Sequence, residues 1–356
     1  MKNRFEERLA RLRAELAARG LEGFYISGEP NVAYFTGKKG NDCSLYVTQQ
    51  EAFIITDFRY REMAQQFTWL TYFEPSQKKT LYDFINSRPE KKIGLEKDRI
   101  LLSQALSFKE KCGEKEFVPT EDIVLALREV KDEFEIEATR KACDVARLAF
   151  DHMCGYLRPG LTEREAAAEL EHFMKQNGAE DLSFDTILIT GAKTSLPHGV
   201  PGNEVIKTGD FVTMDYGCKV DGYCSDQTRT VAVGQPTQEM IDVYNIVLEA
   251  QLNACRNIHA GLTGKECDAL ARDVIEKAGY GEYFGHSLGH GTGLEIHESP
   301  RYSQLNNEPI KAGTIVSIEP GIYLPGKFGV RIEDLALVTE KGIINFVTAP
   351  KELIIL

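Results

Sequence analysis

Asp215, Asp226, His290, Glu319 and Glu333 are good metal ligands that stand where carboxylates are costly. Asp215 closes the run Asp210-Phe-Val-Thr-Met-Asp215, Asp226 opens onto Gln227-Thr-Arg-Thr-Val-Ala-Val233, Glu319 ends Thr314-Ile-Val-Ser-Ile-Glu319, and Glu333 follows Val330-Arg-Ile332. Acidic side chains among Val, Ile, Met and Phe must be paired or bind cations. A turn at Lys219–Gly222 and another at Leu324–Gly329 fold these runs into two hairpins. Asp215 then neighbours Asp226, and Glu319 faces Glu333. Four carboxylates and one imidazole form a mostly hard-oxygen set suited to Mn2+, Co2+, Fe2+ or Zn2+. Bridging carboxylates hold two such ions about 3.5–4 Å apart, a spacing associated with water-activating hydrolases.

The elements that carry these ligands occur twice. Arg158-Pro-Gly160-Leu-Thr162-Glu-Arg-Glu165 opens an apolar-periodic helix ending at Gly178, and Ala260-Gly261-Leu-Thr263-Gly-Lys-Glu266 opens another ending at Gly279. Thr162 with Glu165 and Thr263 with Glu266 have capping-box spacing. Further along, Thr208-Gly209 through Asp215-Tyr-Gly217 aligns with Ala312-Gly313 through Glu319-Pro-Gly321. Asp215 and Glu319 are thus equivalent, and Asp226 and Glu333 nearly so. Leu196-Pro-His198-Gly falls opposite Glu295-Ile-His297-Glu at a similar spacing. A duplicated helix-plus-hairpin unit with one carboxylate pair per copy predicts a pseudo-twofold domain whose two sheets meet at a shared metal site.

From about 125 onward the chain resembles the pita-bread metallopeptidase family, which includes Xaa-Pro dipeptidase (prolidase), Xaa-Pro aminopeptidase and methionine aminopeptidase. The matching segments are Leu196-Pro-His198-Gly, Asp215-Tyr-Gly with Tyr223-Cys-Ser-Asp226-Gln-Thr-Arg229, Gly285-His286-Ser-Leu-Gly-His290-Gly-Thr-Gly-Leu-Glu-Ile-His297-Glu, Ile318-Glu319-Pro-Gly and Val330-Arg331-Ile-Glu333-Asp. Upstream, Asn31-Val-Ala-Tyr-Phe-Thr-Gly37 and Thr56-Asp57-Phe-Arg-Tyr60 resemble the creatinase-type amino-terminal domain, which methionine aminopeptidase generally lacks. The fold so implied is α+β: a creatinase-type α/β domain over 1–125 and a pita-bread catalytic domain with internal pseudo-twofold duplication over 126–356. The resemblance implies two divalent ions, Mn2+ or Co2+ first among the candidates, with Asp226 and Glu333 bridging, Asp215 completing one ion, and His290 with Glu319 the other. It also implies hydrolysis of the bond between an amino-terminal residue and proline by a metal-bridging hydroxide, with Glu319 as general base. Dipeptides or longer peptides with proline second would be substrates, and a homodimer the assembly.

The same resemblance gives His198 and His297 catalytic and substrate-binding roles and sets His286 beside the metals. Arg331, two residues before Glu333, is placed to orient that carboxylate from the same strand face. Arg301 is a candidate to grip the free carboxylate of a dipeptide through a bidentate pair. His152, His172 and His259 lie in predicted helices away from every motif and read as structural. Gly289-His-Gly291-Thr-Gly293 lacks the spacing of a nucleotide loop and the Lys of a P-loop, so its glycines are expected to let backbone pass near the metals.

Bulk properties narrow the class. With 356 residues the chain is long enough for two domains, and 42 Lys+Arg against 54 Asp+Glu give a net charge of −12, which disfavours nucleic acid and anionic membrane surfaces. No apolar run is long enough to span a bilayer. The opening Met1-Lys-Asn-Arg-Phe-Glu-Glu-Arg-Leu9 is too charged for a signal peptide, and Phe5, Leu9, Leu12 and Leu16 recur at helical spacing instead. Eight Cys without a C-x-x-C pair suit a reducing cytoplasm, with Cys218 and Cys224 as free thiols, and argue against a Cys-based zinc site. Over the first ~120 residues, β-rich runs at Gly23–Ser27, Leu45–Thr48 and Ala52–Thr56 alternate with helical segments near 58–67 and 79–87, a small α/β pattern. Val118-Pro119-Thr120, followed by one long charged helical stretch from about Glu121 to Tyr156, places the junction near 120–130. Two other readings share parts of this pattern: an aminopeptidase of methionine aminopeptidase type, against which the extra domain speaks, and a non-catalytic binding protein on the same fold, in which ligands would be expected to be lost, as they are in creatinase.

Overall fold

The computed structural model describes residues 4–38, 42–121 and 123–356, so Met1–Asn3 of the charged opening and Asp122 of the expected long helix lie outside the described residues. The chain divides into two compact units, Met1–Arg128 and Glu129–Leu356.

The first unit opens with the helix Arg4–Ala18, whose Phe5, Leu9, Leu12 and Leu16 are buried at the expected spacing. Six strands form one mixed sheet in the order Thr71–Phe73, Ala52–Ile55, Ser44–Thr48, Gly23–Ile26, Lys92–Glu96, Glu116–Thr120. Val118-Pro119-Thr120 itself lies in the last strand of the sheet. Its strand pairs only with Lys92–Glu96 at the edge, where a proline needs no N–H partner on the open side. The segment near 58–67 is shorter than expected, a 3-10 turn Phe58–Tyr60 running into the helix Arg61–Ala64, while Leu81–Ser87 is capped by Thr80 through a capping box with Asp83.

The long helical stretch expected from Glu121 is broken. One helix covers Ile123–Glu129 and a second runs Glu133–Tyr156, because Asp132 caps the second with its carboxylate on the Glu135 N–H and receives Glu135 in return. Such a cap stabilises a helix start by about 1 kcal/mol.

The second unit repeats one plan twice. Thr162 caps Glu163–Gln176 and Thr263 caps Gly264–Lys277, each through a capping box. Gly178 and Gly279 follow those helices with φ of 107° and 86°, a conformation that favours glycine. The Gly160 N–H donates to Ile206 and the Gly261 N–H to Ile310, and matching bridges join Thr162 to Val205 and Thr263 to Pro309.

Each copy feeds a sheet. In the first, Asp210–Tyr216 lies between Gln227–Val233 and Ile187–Thr190. In the second, Ile315–Ile318 pairs with Asp334–Thr339 within a five-stranded sheet. Alternation along the strands splits the packing. Val212, Met214 and Val231 join Ala146, Phe150, Met153 and Leu170 in one core, and Val316, Ile318 and Ala336 join Val243, Val247, Ala271 and Ile275 in another. Phe211 and Ala232 from the first sheet enter the second core, and Ile315 and Leu335 from the second sheet enter the first. Both sheets are thus covered on both faces. Asp215 shares its strand face with Phe211 and Thr213, and Glu319 continues that of Ile315 and Ser317, so both carboxylates point away from their own helices.

No helix among the described residues is long and apolar enough to cross a membrane. All eight cysteines are free.

Candidate metal centre

The ladder fixes where each carboxylate emerges. Gln227 pairs with Tyr216, so Asp226 leaves its strand one step beyond the ladder and Asp215 lies opposite Thr228. Ile318 pairs with Asp334, which brings Glu319 and Glu333 face to face just past the last rung. His290 enters from the strand Gly289–Gly291, itself paired to both Glu298–Tyr302 and Ile315–Ile318. Ligand atoms of Asp226, His290 and Glu333 lie within 4.8 Å of one another, and all three residues are buried. The His290 Nε2 is 3.4 Å from Glu319 Oε1 and 3.5 Å from Asp226 Oδ2. Asp215 lines the same cavity, with its Oδ2 2.6 Å from Arg331 Nη2.

This donor set fits divalent ions. His290 Nδ1 faces the Gly291 carbonyl at 3.0 Å, which assigns the ring proton there and leaves the Nε2 lone pair among carboxylate oxygens. A lone pair among carboxylate oxygens needs either a cation or protons on those acids between them. Among the described residues the buried Asp215 Oδ1 has no hydrogen-bond partner. Burial pushes the Asp226 and Glu333 carboxyls well above the carboxylate range, and the neighbouring acids raise them further. Burial likewise takes Glu319 up to about 7, against the pull of Arg331. Burial lowers His290 to about 3, keeping it neutral as a ligand must be.

Metal binding must therefore expel protons. In the metal-free protein a raised carboxyl adds stability below its unfolded pKa and loses it as pH climbs through the folded value, for Glu319 between the ordinary 4.5 and about 7. His290 is already neutral in the folded protein at mildly acidic and alkaline pH alike and has no proton to release to the metal, so the acids set the dependence. The rise in Tm on adding Mn2+ is expected to be larger at pH 8 than at pH 5.5, read by calorimetry on stripped and reloaded protein; an equal rise at both would contradict the repulsion.

Partners behind the ligands were not legible in the sequence. Thr228 Oγ1 donates to Glu333 Oε2 at 2.6 Å and accepts from Arg331 Nε at 3.1 Å, while Ser317 Oγ donates to Glu319 Oε1 at 3.0 Å. Arg331 thus reaches Glu333 only through Thr228 and grips Asp215 directly, a correction to its expected partner. The strand Phe328–Arg331 ends before Glu333, so the two do not share a strand face. Tyr323 Oη accepts from Arg331 Nη1 at 2.8 Å and meets His286 Nε2 at 2.8 Å. His286 is pushed down to about 4 by burial and lies beside Tyr323 rather than among the carboxylates.

The carboxylates open onto a cavity of about 1100 Å³, whose wall includes His198, His286, His297, Arg301 and Arg331. The His297 ring meets His290 edge to face at 4.4 Å. Arg301 is exposed on the strand Glu298–Tyr302. His152, His172 and His259 do not line the cavity. His152 bonds Glu169 at 2.7 Å and stacks on Phe173. His259 is not helical as expected: its helix stops at Asn257. A Cβ at Gly289 would meet the Ser317 carbonyl at 2.0 Å and one at Gly291 the Ser299 carbonyl at 2.1 Å, so these glycines admit the neighbouring strands where the backbone passes the cavity.

Residues 137–340 match the sequence profile of metallopeptidase family M24, and residues 8–130 that of the creatinase/prolidase N-terminal domain. The chain belongs to metallopeptidase family M24. This M24 chain is 38% identical over 359 residues to an Xaa-Pro dipeptidase of Pyrococcus furiosus, covering 98% of its own length and 100% of the relative's. The structure of an Xaa-Pro dipeptidase from Bacillus anthracis superposes on the M24 chain with a TM-score of 0.96 at 42% identity, covering 99% and 100% of the two chains. That of an X-Pro aminopeptidase from Thermotoga maritima gives 0.91 at 38% identity, covering 98% and 99%. The M24 chain is a metallopeptidase, and the family implies divalent metal ions.

Proposed function

We propose that this metallopeptidase hydrolyses the bond between an amino-terminal residue and a following proline. The observation that carries the reading is the convergence of Asp226, His290 and Glu333, with Glu319 and Asp215, on one cavity that also presents three further imidazoles and two guanidinium groups. The proline preference is supported by the relatives named above, whose likeness extends over nearly all of both chains.

In this reading Asp215, Asp226, His290, Glu319 and Glu333 would hold two divalent ions, which when bound would polarise the scissile carbonyl as Lewis acids and lower the pKa of water. Arg331 orients Asp215, Thr228 fixes Glu333, and Ser317 fixes Glu319. Glu319 takes the proton of the attacking water and returns it to the proline nitrogen, which leaves as a secondary amine and needs that proton. His198 and His297, both exposed to the cavity, hydrogen-bond the oxygen on which negative charge develops. Arg301 pairs with a substrate carboxylate. An Xaa-Pro bond carries no amide N–H, so a site that holds its substrate through the carbonyl oxygen and the chain ends suits it better than one that relies on that donor. A homodimer belongs to the same reading.

The test is proline release from Ala-Pro beside alanine release from Ala-Pro-Ala, with stripped enzyme before and after Mn2+ or Co2+. Metal-dependent cleavage is expected, the faster substrate separating dipeptidase from aminopeptidase. Cleavage of neither peptide by metal-loaded enzyme would refute the proline preference.

A further inference from the structure

Behind the loop that carries His297 lies an ion pair that the chemistry above does not use. Lys131 Nζ is 3.1 Å from Glu298 Oε2, and both side chains are 1% exposed. Two charges withdrawn so far from water are expensive to keep, and replacing such a pair by apolar residues is often neutral or stabilising. Glu298 therefore invites a reason beyond packing. It directly follows His297, and its other carboxylate oxygen accepts the Glu295 N–H at 3.1 Å. A Cβ at Gly293 would lie 2.7 Å from either oxygen, so the carboxylate fills the space that this glycine leaves. The loop is also pinned by Thr292 Oγ1 on the Ile296 carbonyl at 3.1 Å and by the Cys224 N–H on the Gly293 carbonyl at 2.8 Å. The far end of the clamp is fixed as well: the Lys131 N–H donates to the Gly313 carbonyl at 2.9 Å. These bonds hold the loop backbone at Gly293, Glu295 and Ile296, and the exposed His297 side chain that follows lies against His290 at the cavity wall.

We propose that Glu298, charged and held in place by Lys131, is a positioning residue that sets His297 for the reaction. The inference rests on the role given to His297 in the proposed function. A buried carboxylate neutralised by a lysine presents a fixed acceptor to the loop, where a neutral side chain would give a softer one.

The experiment is a cycle of wild type, Glu298→Gln, His297→Ala and the double variant, each loaded with Mn2+ and assayed on Ala-Pro for kcat and KM, with metal content and Tm recorded. Glu298→Gln is expected to lower kcat about ten-fold with metal content unchanged, and to cost less than about two-fold in the His297→Ala background. Should Gln fail to fold with Lys131 unpaired, Glu298→Asp keeps the charge and withdraws it from the Glu295 N–H, and the same non-additivity is expected. Equal losses in both backgrounds, or loss of bound metal, would overturn the clamp. Full kcat in His297→Ala would instead remove His297 from the proposed mechanism, and the clamp with it.

Discussion

Asp226→Asn and Glu333→Gln are each expected to lower turnover on the order of 10³-fold or more, with bound metal falling in parallel. Both substitutions keep side-chain volume and change only charge and donor type. An amide nitrogen cannot ligate, and a neutral oxygen ligates weakly. The metal-free variants should be no less stable than the parent, because each removes an acid from a buried cluster whose members raise one another's pKa. Loss of activity at constant or higher metal-free Tm is the signature of a group kept for function at a cost in stability. Full turnover in either variant would contradict the bridging assignment, and metal analysis beside calorimetry reads both halves of the expectation.

The second large effect is on stability alone. Arg229 is 1% exposed and pairs with Asp334 at 2.8 Å. It also donates to the carbonyls of Thr228, Glu333, Ala349 and Pro350. Asp334 is held further by Lys351 and Gln251 and is kept below its usual carboxylate range, chiefly by Arg229, although burial pushes the other way. Arg229→Ala leaves a buried acid short of its cation and four carbonyls short of a donor. A loss of about 3–5 kcal/mol in the metal-free protein is expected, measured by urea unfolding. A loss under about 1 kcal/mol would mean that Lys351 neutralises Asp334 unaided.

Which of these residues could be read beforehand follows from what each contributes to the pattern. The ligands stood out because an acid closing a run of Val, Ile and Met has few structural uses, and the duplication stood out because capping threonines and terminal glycines recur in fixed order. Arg229 gave no such signal. An arginine inside Gln227-Thr-Arg-Thr-Val is ordinary for a half-exposed strand, and only the closing of both sheets buries it. Thr228 was hidden for the same reason, since Arg331 and Glu333 lie about a hundred residues away, and so was the Tyr323 contact with His286. Arg331 was assigned to Glu333 by nearness in sequence, whereas the contact with Asp215 crosses between the two copies. Asp132 with Glu135 has capping-box spacing in the sequence, and it announces the helix start that breaks the stretch from Glu121. The edge strand containing Pro119 shows the opposite hazard, a residue that breaks most strands yet fits where one side has no neighbour.

The duplicated plan also bears on how the protein comes apart. Asp215 and Asp226 belong to the first copy, His290, Glu319 and Glu333 to the second, and neither copy alone holds a complete set. Chelation is consequently a property of closure: the ligands converge only where both sheets have met. Interactions that form after the rate-limiting barrier slow unfolding and leave the folding rate nearly untouched. An occupied centre formed at that stage would work as a latch, lengthening the life of the folded chain without helping it to fold.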